Sequence, residues 1–449
     1  MTSSLHARHT PMQTMADGTI KQVNPFSGTE VWTVPGRGNR PLASNLPEPT
    51  MLEADANATT CAFCTDRMLE TPPEKSRMVY TGADNDLDGF DIIQGVLPEE
   101  LHATTPLFRR VPNLFEIVSF DYWEKNYGRE MTPQQQARMD AYVNAPGGFE
   151  HVKKIVSTKM KAAHTTDADI AALSREDILQ ASRAFFAGGH DVIIGRRHYQ
   201  EDAVDSTQLA SSGSLSVAEH RALIRFTIAA AADLYASNRY APYVAIFQNW
   251  LKPAGASFDH LHKQLVAIDE RGFQAEEEIT RLRANPNMYN EWAVDYAGYH
   301  NLIIAENDHA VVFAGFGHRY PALEVFSKSA TPEPWKQTPA EVAAMADLIH
   351  ACHAAAGPHV PCNEEWHHKP IDLDIPMPWR VVIKWRVSTL AGFEGGTKVY
   401  LNTISPQDAR DRMVSAMYRL RDEGKIAADI RIATECTVER NSLKYNPLL

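Results

Sequence analysis

An α+β fold built from two fused repeats, each an antiparallel sheet with one long helix, is the fold class that this sequence predicts. The chain has 449 residues, 44% of them hydrophobic, which is enough for two substantial cores. Capping-box sequences at Ser216 and Thr338 each open an alanine-rich segment, so one long helix is expected in either half. Strands are predicted before and after each helix, and this repeated order indicates a duplicated unit.

The individual elements follow from local patterns along the chain. Alternating or short apolar runs predict strands, and apolar periodicity behind an N-cap residue predicts helices. The predicted strands cover 30–34, 78–80, 114–118, 190–194, 243–247, 264–268, 301–305, 310–314, 379–385 and 398–401. The predicted helices cover 132–142, 174–186 and 216–237, a segment that begins at 338, and a segment from 405 to about 424.

Three segments define the expected domain organisation. Residues 1–20 are predicted to be a flexible N-terminal tail. The first repeat is expected over 21–290 and the second over 291–449. A polar helical stretch, an Ala-Pro-Gly-Gly break and a lysine-rich segment predict an insertion in the first repeat at about 119–165.

Composition excludes several classes of function. The net charge of −12 argues against nucleic acid as the main partner. The sequence contains no run of 18 apolar residues and no apolar signal segment near its N-terminus, so we expect no membrane association and a cytoplasmic location. Five cysteines in a chain of this length do not indicate a disulfide framework.

The most informative stretch is His260-Leu-His262-Lys-Gln264, preceded by Gly255-Ala-Ser257. One histidine can bind a metal ion while the other presents a nitrogen atom to a substrate. The glycine-containing turn offers backbone N–H groups and a hydroxyl beside the second histidine, which suits a segment that holds a phosphate and attacks it with an imidazole. A pair of ordinary core or surface histidines is the alternative interpretation.

Two further motifs carry side chains that are suited to bind a metal ion or a substrate. Cys61-Ala-Phe-Cys64 is typical of half a tetrahedral zinc site or of a redox pair, with inert thiols as the alternative. Because the sequence has no second Cys-x₂-Cys motif, His198 and His260 are the candidates for the remaining zinc ligands. The glycine-rich stretch 391–397 predicts a hairpin, in which Glu394 is suited to accept hydrogen bonds from sugar hydroxyls. His190 is predicted to have a structural role.

Together these motifs resemble the galactose-1-phosphate uridylyltransferase family of the histidine-triad superfamily, and within it the ADP-glucose phosphorylase branch. The resemblance spans about 23–420 and implies two fused histidine-triad-like repeats. The motifs that carry it are Asn24-Pro-Phe-Ser-Gly with Arg37 and Arg40, Cys61-Ala-Phe-Cys64 with Thr71-Pro-Pro-Glu74, Val111-Pro-Asn113-Leu-Phe115, the strand from His190 to His198, Asn249 with the His260–Gln264 motif, and Gly392-Phe393-Glu394.

The resemblance also implies a role for each matching residue. Cys61, Cys64, His198 and His260 would bind zinc. His262 would be the nucleophile that attacks the α-phosphorus of a nucleoside diphosphate sugar, Gln264 would hydrogen-bond a phosphoryl oxygen, and Ser257 would contact the leaving phosphate. The implied substrate-binding residues are Asn113, Phe115, Asn249, Gly255, Phe393, Glu394, Arg37 and Arg40.

The implied function is a nucleotidyltransferase or phosphorylase that passes a nucleotidyl group to a sugar 1-phosphate or to inorganic phosphate, working as a homodimer. Hydrolytic relatives carry a histidine where this chain has Gln264, and a glutamine cannot donate a catalytic proton, which favours transfer over hydrolysis. The strand 379–385 lacks the histidines of the family's second metal site, so no second metal is expected there. The alternatives are a dinucleoside polyphosphate phosphorylase or hydrolase, and a zinc-containing nucleotide-binding protein without turnover.

Overall fold

The computed structural model describes residues 10–36, 48–82 and 89–448. The strands are β1 (Met12–Thr14), β2 (Ile20–Val23), β3 (Glu30–Thr33), β4 (Ser76–Tyr80), β5 (Phe90–Gln94), β6 (Pro106–Pro112), β7 (His190–Gly195), β8 (Tyr243–Trp250), β9 (His262–Ile268), β10 (Ile303–Glu306), β11 (Ala310–Gly315), β12 (Ala322–Ser327), β13 (Cys362–His367), β14 (Arg380–Trp385), β15 (Val399–Asn402) and β16 (Arg431–Ile432). The helices are α1 (Ala56–Thr59), α2 (Phe120–Tyr127), α3 (Pro133–Asn144), α4 (Gly148–Ala162), α5 (Asp167–Ala171), α6 (Arg175–Ala187), α7 (Val217–Ser237), α8 (Phe273–Ala284), α9 (Asp295–Tyr299), α10 (Pro339–Ala356), α11 (Gly392–Thr397) and α12 (Pro406–Asp422). Within these described ranges, no helix has both the length and the apolar character that a membrane crossing requires.

Twelve of the strands form one sheet, in the order β16-β10-β11-β12-β14-β13-β8-β9-β7-β6-β4-β5. Its two halves have the same internal arrangement, because β6-β7-β9-β8 in the first half corresponds to β11-β12-β14-β13 in the second. The long helix lies at the same place in each half, α7 between β7 and β8 and α10 between β12 and β13. The predicted fold class of two fused α+β repeats with antiparallel strands is therefore confirmed.

The two halves join edge to edge through β8 and β13. These strands are antiparallel, with Asn249 opposite Asn363 and Gln248 opposite Glu364. A buried ion pair reinforces this junction, since Lys263 Nζ on β9 lies 2.5 Å from Glu364 Oε1 on β13. Pairing of the two edge strands satisfies backbone groups that would otherwise be exposed, so the predicted pair of sheets becomes one continuous sheet.

The long helices begin where their capping boxes predict. The Ser216 hydroxyl accepts a hydrogen bond from the Glu219 N–H, and the Glu219 carboxylate accepts one from the Ser216 N–H. Thr338 and Glu341 make the same reciprocal pair at the start of α10. Each box satisfies two backbone donors that a helix start leaves free, and this local chemistry fixes the first residue of the helix.

A second, four-stranded sheet has the order β1-β2-β3-β15. Strand β1 lies in the segment that the sequence predicts as a flexible tail, and it pairs with β2. The Met12 N–H also donates a hydrogen bond to the Tyr296 hydroxyl, 3.0 Å away. Strand β15, from the second half of the chain, pairs in parallel with β3 and so ties the two ends of the sequence together.

Helices α2 to α6 occupy the connection between β6 and β7, where the insertion at about 119–165 is expected. They enclose an apolar cluster of their own, formed by Met139, Tyr142, Val143, Val152, Ile155, Val156, Ile178, Phe185 and Phe186. The strand predicted at 114–118 is not formed. Strand β6 ends at Pro112, and the side chain of Asn113 accepts a hydrogen bond from the Phe115 N–H, which turns the chain towards α2.

Candidate active site and metal centre

Four side chains from three separate segments meet at one end of β7 and β9. Cys61 and Cys64 lie in a turn before a short 3₁₀ segment, His198 follows β7, and His260 precedes β9. Their potential ligand atoms all lie within 4.8 Å of one another. The structure thus brings together the four residues that the sequence predicts as metal ligands.

The spacing of these ligand atoms suits a tetrahedral ion. Cys61 Sγ lies 3.8 Å from Cys64 Sγ and 3.5 Å from His260 Nδ1, and Cys64 Sγ lies 3.7 Å from His198 Nδ1. A zinc ion with Zn–S bonds of about 2.3 Å and Zn–N bonds of about 2.1 Å separates its ligand atoms by about 3.5–3.8 Å. Two sulfur and two nitrogen donors at these separations fit a structural zinc site.

A neighbouring backbone carbonyl group fixes the tautomer of His260. His260 Nε2 lies 2.6 Å from the carbonyl oxygen of Gly195, which can only accept, so Nε2 carries the proton and Nδ1 keeps its lone pair for a metal. This tautomer is the form in which His260 can bind a metal ion.

His262 lies next to this cluster, and within the described part of the chain only one of its ring nitrogens has a hydrogen-bond partner. Its Nδ1 lies 2.7 Å from the carbonyl oxygen of His260, so Nδ1–H donates and Nε2 carries the lone pair. Only 5% of the residue is exposed, and this burial lowers the pKa of His262. The ring of Phe63 packs edge-on against His262 with 5.4 Å between centroids, and Phe258 packs on Phe63 at 4.4 Å. The His262 ring is therefore a neutral imidazole in partly apolar surroundings.

Gln264 lies two residues beyond His262, and therefore on the same face of β9. Its Oε1 atom lies 3.0 Å from His190 Nε2 and 3.4 Å from Asn113 Nδ2. Phe115, two residues after Asn113, is 59% exposed and so available to a ligand. The structure thus gathers His262, Gln264 and the predicted nucleotide-contacting segment in one place.

The turn before His260 borders the same region. Gly255 has φ +88°, a conformation that disfavours any residue with a side chain, so the close turn depends on glycine. Asn249, at the end of β8, is fixed by Asn363, which donates from Nδ2 to Asn249 Oδ1 at 2.7 Å and to the Ala254 carbonyl at 2.8 Å. Ser257 is exposed on this turn.

The predicted sugar-contacting residues lie next to the four-stranded sheet. Phe393 and Glu394 are in α11, a short helix that replaces the predicted hairpin, and α11 leads into β15. Phe393 packs near Trp32 of β3 with ring centroids 6.5 Å apart. Among the described residues, no hydrogen bond or ring contact joins Phe393 or Glu394 to the His262 region. Arg37 and Arg40 lie outside the described residues.

Two residues of this site were not identified as such from the sequence. The sequence predicts a structural role for His190, and the structure places its ring against Gln264. Asn363 lies in β13, and Arg386 Nη1 donates in turn to its Oδ1 atom at 2.8 Å. Both contacts depend on strand register, with Asn363 directly opposite Asn249 and Val192 opposite Gln264. No local pattern in the sequence signals either of them.

Strand β14 begins with a buried arginine, Arg380. Arg380 forms a buried ion pair with Glu278, and Arg380 Nη2 lies 3.0 Å from Glu278 Oε2. The Tyr289 hydroxyl donates to Glu278 Oε1 at 2.7 Å, and the guanidinium lies 5.0 Å from the centre of the Phe26 ring. Glu278 thus neutralises the charge of Arg380 inside the protein.

Comparisons with solved structures agree with the predicted resemblance. An ADP-glucose phosphorylase from Arabidopsis thaliana, solved with bound ADP-glucose, superposes with a TM-score of 0.54 at 18% sequence identity, covering 88% of this chain and 98% of that chain. A GalT-like protein from Arabidopsis thaliana superposes with a TM-score of 0.52 at 16% identity, with the same coverage of 88% and 98%. The resemblance to the galactose-1-phosphate uridylyltransferase family is confirmed at the level of the fold.

Sequence comparisons place the chain more directly. No curated protein matches it. A family model described as "Domain of unknown function (DUF4921)" matches residues 15–445, nearly the whole length. The chain therefore belongs to the DUF4921 family.

Proposed function

We propose that the protein is a nucleotidyltransferase or phosphorylase that acts on a nucleoside diphosphate sugar through a covalent intermediate on His262. The observation that carries the proposal is the orientation of His262. Its Nδ1–H donates to the His260 carbonyl oxygen, which leaves the lone pair on Nε2. The ring lies beside Gln264 and beside the cluster of Cys61, Cys64, His198 and His260. The two Arabidopsis proteins of the same fold include one solved with ADP-glucose, which supports a nucleotide-sugar as the donor.

The proposed first half-reaction forms one bond and breaks one. The Nε2 lone pair of His262 attacks the α-phosphorus, a P–N bond forms, and the bond between the α-phosphorus and the bridging oxygen breaks. The electron pair stays on that oxygen, so a sugar 1-phosphate leaves. Because the leaving phosphate oxygen is only weakly basic, it needs no proton from a general acid. This agrees with the presence of a glutamine, and not a histidine, at position 264. The amide of Gln264 stabilises charge on a non-bridging oxygen.

The second half-reaction reverses the first with a different acceptor. A phosphate oxygen of a sugar 1-phosphate or of inorganic phosphate attacks the phosphorus, the P–N bond breaks, and His262 returns to its neutral form. Zinc held by Cys61, Cys64, His198 and His260 would supply structural rigidity. Those residues fix the turn that carries the His260 carbonyl, and through it the His262 ring.

Intact-protein mass spectrometry tests this proposal. Brief incubation with separate nucleotide-sugars and with dinucleoside polyphosphates should add the mass of one nucleotidyl group, which is a nucleoside monophosphate less one water molecule, with one class of donor. That mass identifies the base. Peptide mapping should place the adduct on His262. Replacement of an exposed histidine by His102→Ala should leave labelling unchanged. Labelling by no donor, with folded and zinc-loaded protein, would contradict the proposal and favour a binding protein without turnover.

We further propose that the enzyme is a homodimer in which Glu394 completes the site of the partner subunit. This would explain why Phe393 and Glu394 lie next to the four-stranded sheet. Among the described residues, neither side chain contacts the region around His262. Co-expression of His262→Ala and Glu394→Ala chains with different tags yields a mixed dimer with one intact combination of the two groups. That dimer should keep about half of the wild-type activity. Mixed dimers as inactive as either parent, or a monomer by sedimentation, would contradict this arrangement.

A further inference from the structure

His190, the first residue of β7, lies between the chain segment after Asn113 and the side chain of Gln264. It is buried, with only 1% of its surface exposed. The Ile117 N–H lies 3.1 Å from His190 Nδ1, and Gln264 Oε1 lies 3.0 Å from His190 Nε2. The imidazole is therefore hydrogen-bonded on both sides, and one of its partners belongs to the candidate active site.

These two partners determine where the ring proton lies. A backbone N–H can only donate, so His190 Nδ1 must be the unprotonated nitrogen. In the neutral ring the proton is then on Nε2, and it is donated to Gln264 Oε1. Burial lowers the pKa of His190, which keeps the ring in this neutral form.

Asn113 acts on the same oxygen atom in the same sense. Its Oδ1 already accepts the Phe115 N–H at 2.9 Å, so its amide nitrogen points towards His190 and Gln264. That Nδ2 atom lies 3.1 Å from His190 Nε2 and 3.4 Å from Gln264 Oε1. Because the protonated Nε2 atom cannot accept a hydrogen bond, the acceptor of Asn113 Nδ2 is Gln264 Oε1. Two donors thus converge on one acceptor, and a flipped Gln264 amide would place its own N–H groups against both of them.

The register of the sheet makes this contact possible. Val192 lies opposite Gln264, so His190 is the diagonal neighbour of Gln264 on the same face. His262 also lies on that face of β9, two residues before Gln264. Among the described residues, Gln264 Nε2 has no hydrogen-bond partner, so this donor is free for a ligand at His262.

We propose that His190 is a positioning residue, which orients the Gln264 amide so that its nitrogen, and not its oxygen, faces the phosphoryl group that His262 attacks. The inference rests on the proposed function. In the opposite orientation the amide oxygen would face the phosphoryl oxygens, and like partial charges would repel each other. His190 acts through Gln264 and does not itself touch the reacting atoms.

A double-mutant cycle on the rate of His262 nucleotidylation tests the inference. His190→Asn keeps a polar side chain but cannot place a donor where Nε2 lies, and it should slow adduct formation by about 10- to 100-fold. His190→Gln carries an amide nitrogen near that position and should restore most of the rate. In a Gln264→Ala background, His190→Asn should have no further effect, because the group it orients is gone.

Equal slowing by His190→Asn with and without Gln264 would overturn the inference, since a purely structural role would be independent of Gln264. Zinc content and melting temperature should match those of the wild type in the variants compared. Ring ¹⁵N NMR of the wild-type protein provides a second test, with the Nε2–H tautomer of His190 expected and the Nδ1–H tautomer overturning the proposal. If the wild-type protein forms no adduct, both the proposed function and the inference fail. If the adduct forms but the effects of His190→Asn and Gln264→Ala are additive, only the inference is rejected.

Discussion

His262→Ala should abolish the covalent adduct and lower the rate of nucleotidyl transfer by about 10⁴-fold or more, as expected when the nucleophile of a covalent mechanism is removed. The change deletes the Nε2 atom that forms the P–N bond and leaves the rest of the site in place. Binding of the donor should persist, because Asn113 and Gln264 do not depend on the His262 ring for their contacts. Initial rates of transfer and a binding titration with the same donor measure the two effects separately.

The fold of the variant is the necessary control for this result. His262→Ala removes one ring contact to Phe63, so the protein should keep its zinc content and its far-UV circular dichroism. His102→Ala removes an exposed histidine and should leave the rate unchanged. A His262→Ala protein that retains turnover within tenfold of the wild type, or that is still labelled, would contradict the assignment of the nucleophile.

Local chemistry explains which elements the sequence predicts well. Helix α7 begins one residue after Ser216 and α10 one residue after Thr338, as the capping boxes indicate. A capping box involves four consecutive residues, so nothing distant is needed to recognise it. Its reciprocal hydrogen bonds also predict the last helix, which begins one residue after Ser405.

Long-range compensation explains the strands that the sequence does not reveal. Strand β13 buries Glu364, which accepts hydrogen bonds from Lys263 Nζ at 2.5 Å and His353 Nε2 at 2.8 Å. A buried carboxylate interrupts the apolar pattern of a core strand, and its partners come from β9 and α10. Strand β12 buries Glu324 in the same way, paired with His318 at 2.8 Å. Such strands cannot be recognised before their partners are known.

The opposite error occurs at 114–118. The apolar residues there predict a strand, but Phe115 and Ile117 are 59% and 67% exposed. They follow the turn at Asn113 and border the Gln264 region, where an exposed apolar surface suits a ligand. Periodicity assumes that apolar side chains face a core, and this assumption fails beside a binding site.

The candidate site also contains residues that local motifs predict and residues that only the assembled sheet reveals. The four predicted metal ligands come from two short motifs and one strand end, and donor chemistry alone connects them. The contacts of His190 with Gln264 and of Asn363 with Asn249 depend on the register of β7 with β9 and of β8 with β13. Register is a property of the assembled sheet, so these supporting residues become visible only in the structure.

Cys64→Ser should remove the metal and lower both stability and activity. Serine cannot supply the thiolate that the site requires, so bound zinc should fall from about one ion per chain to a small fraction of that. The segment around Cys61 and Cys64 would then lose its link to His198 and His260, and the melting temperature should fall. Metal analysis of the purified protein and calorimetry measure these two effects.

The same variant should also slow nucleotidylation of His262, by about 10- to 100-fold, through loss of orientation. The carbonyl oxygen that accepts from His262 Nδ1–H belongs to His260, whose ring would be a metal ligand. Release of that ring should therefore loosen the orientation of His262. Cys436→Ser is the matched control, because that thiol donates to the Arg431 carbonyl, 3.3 Å away, and lies outside the cluster. It should retain zinc, stability and rate. A Cys64→Ser protein with a full complement of zinc would show that the ion binds elsewhere. A zinc-free protein that is labelled at the wild-type rate would show that the metal does not determine the orientation of His262.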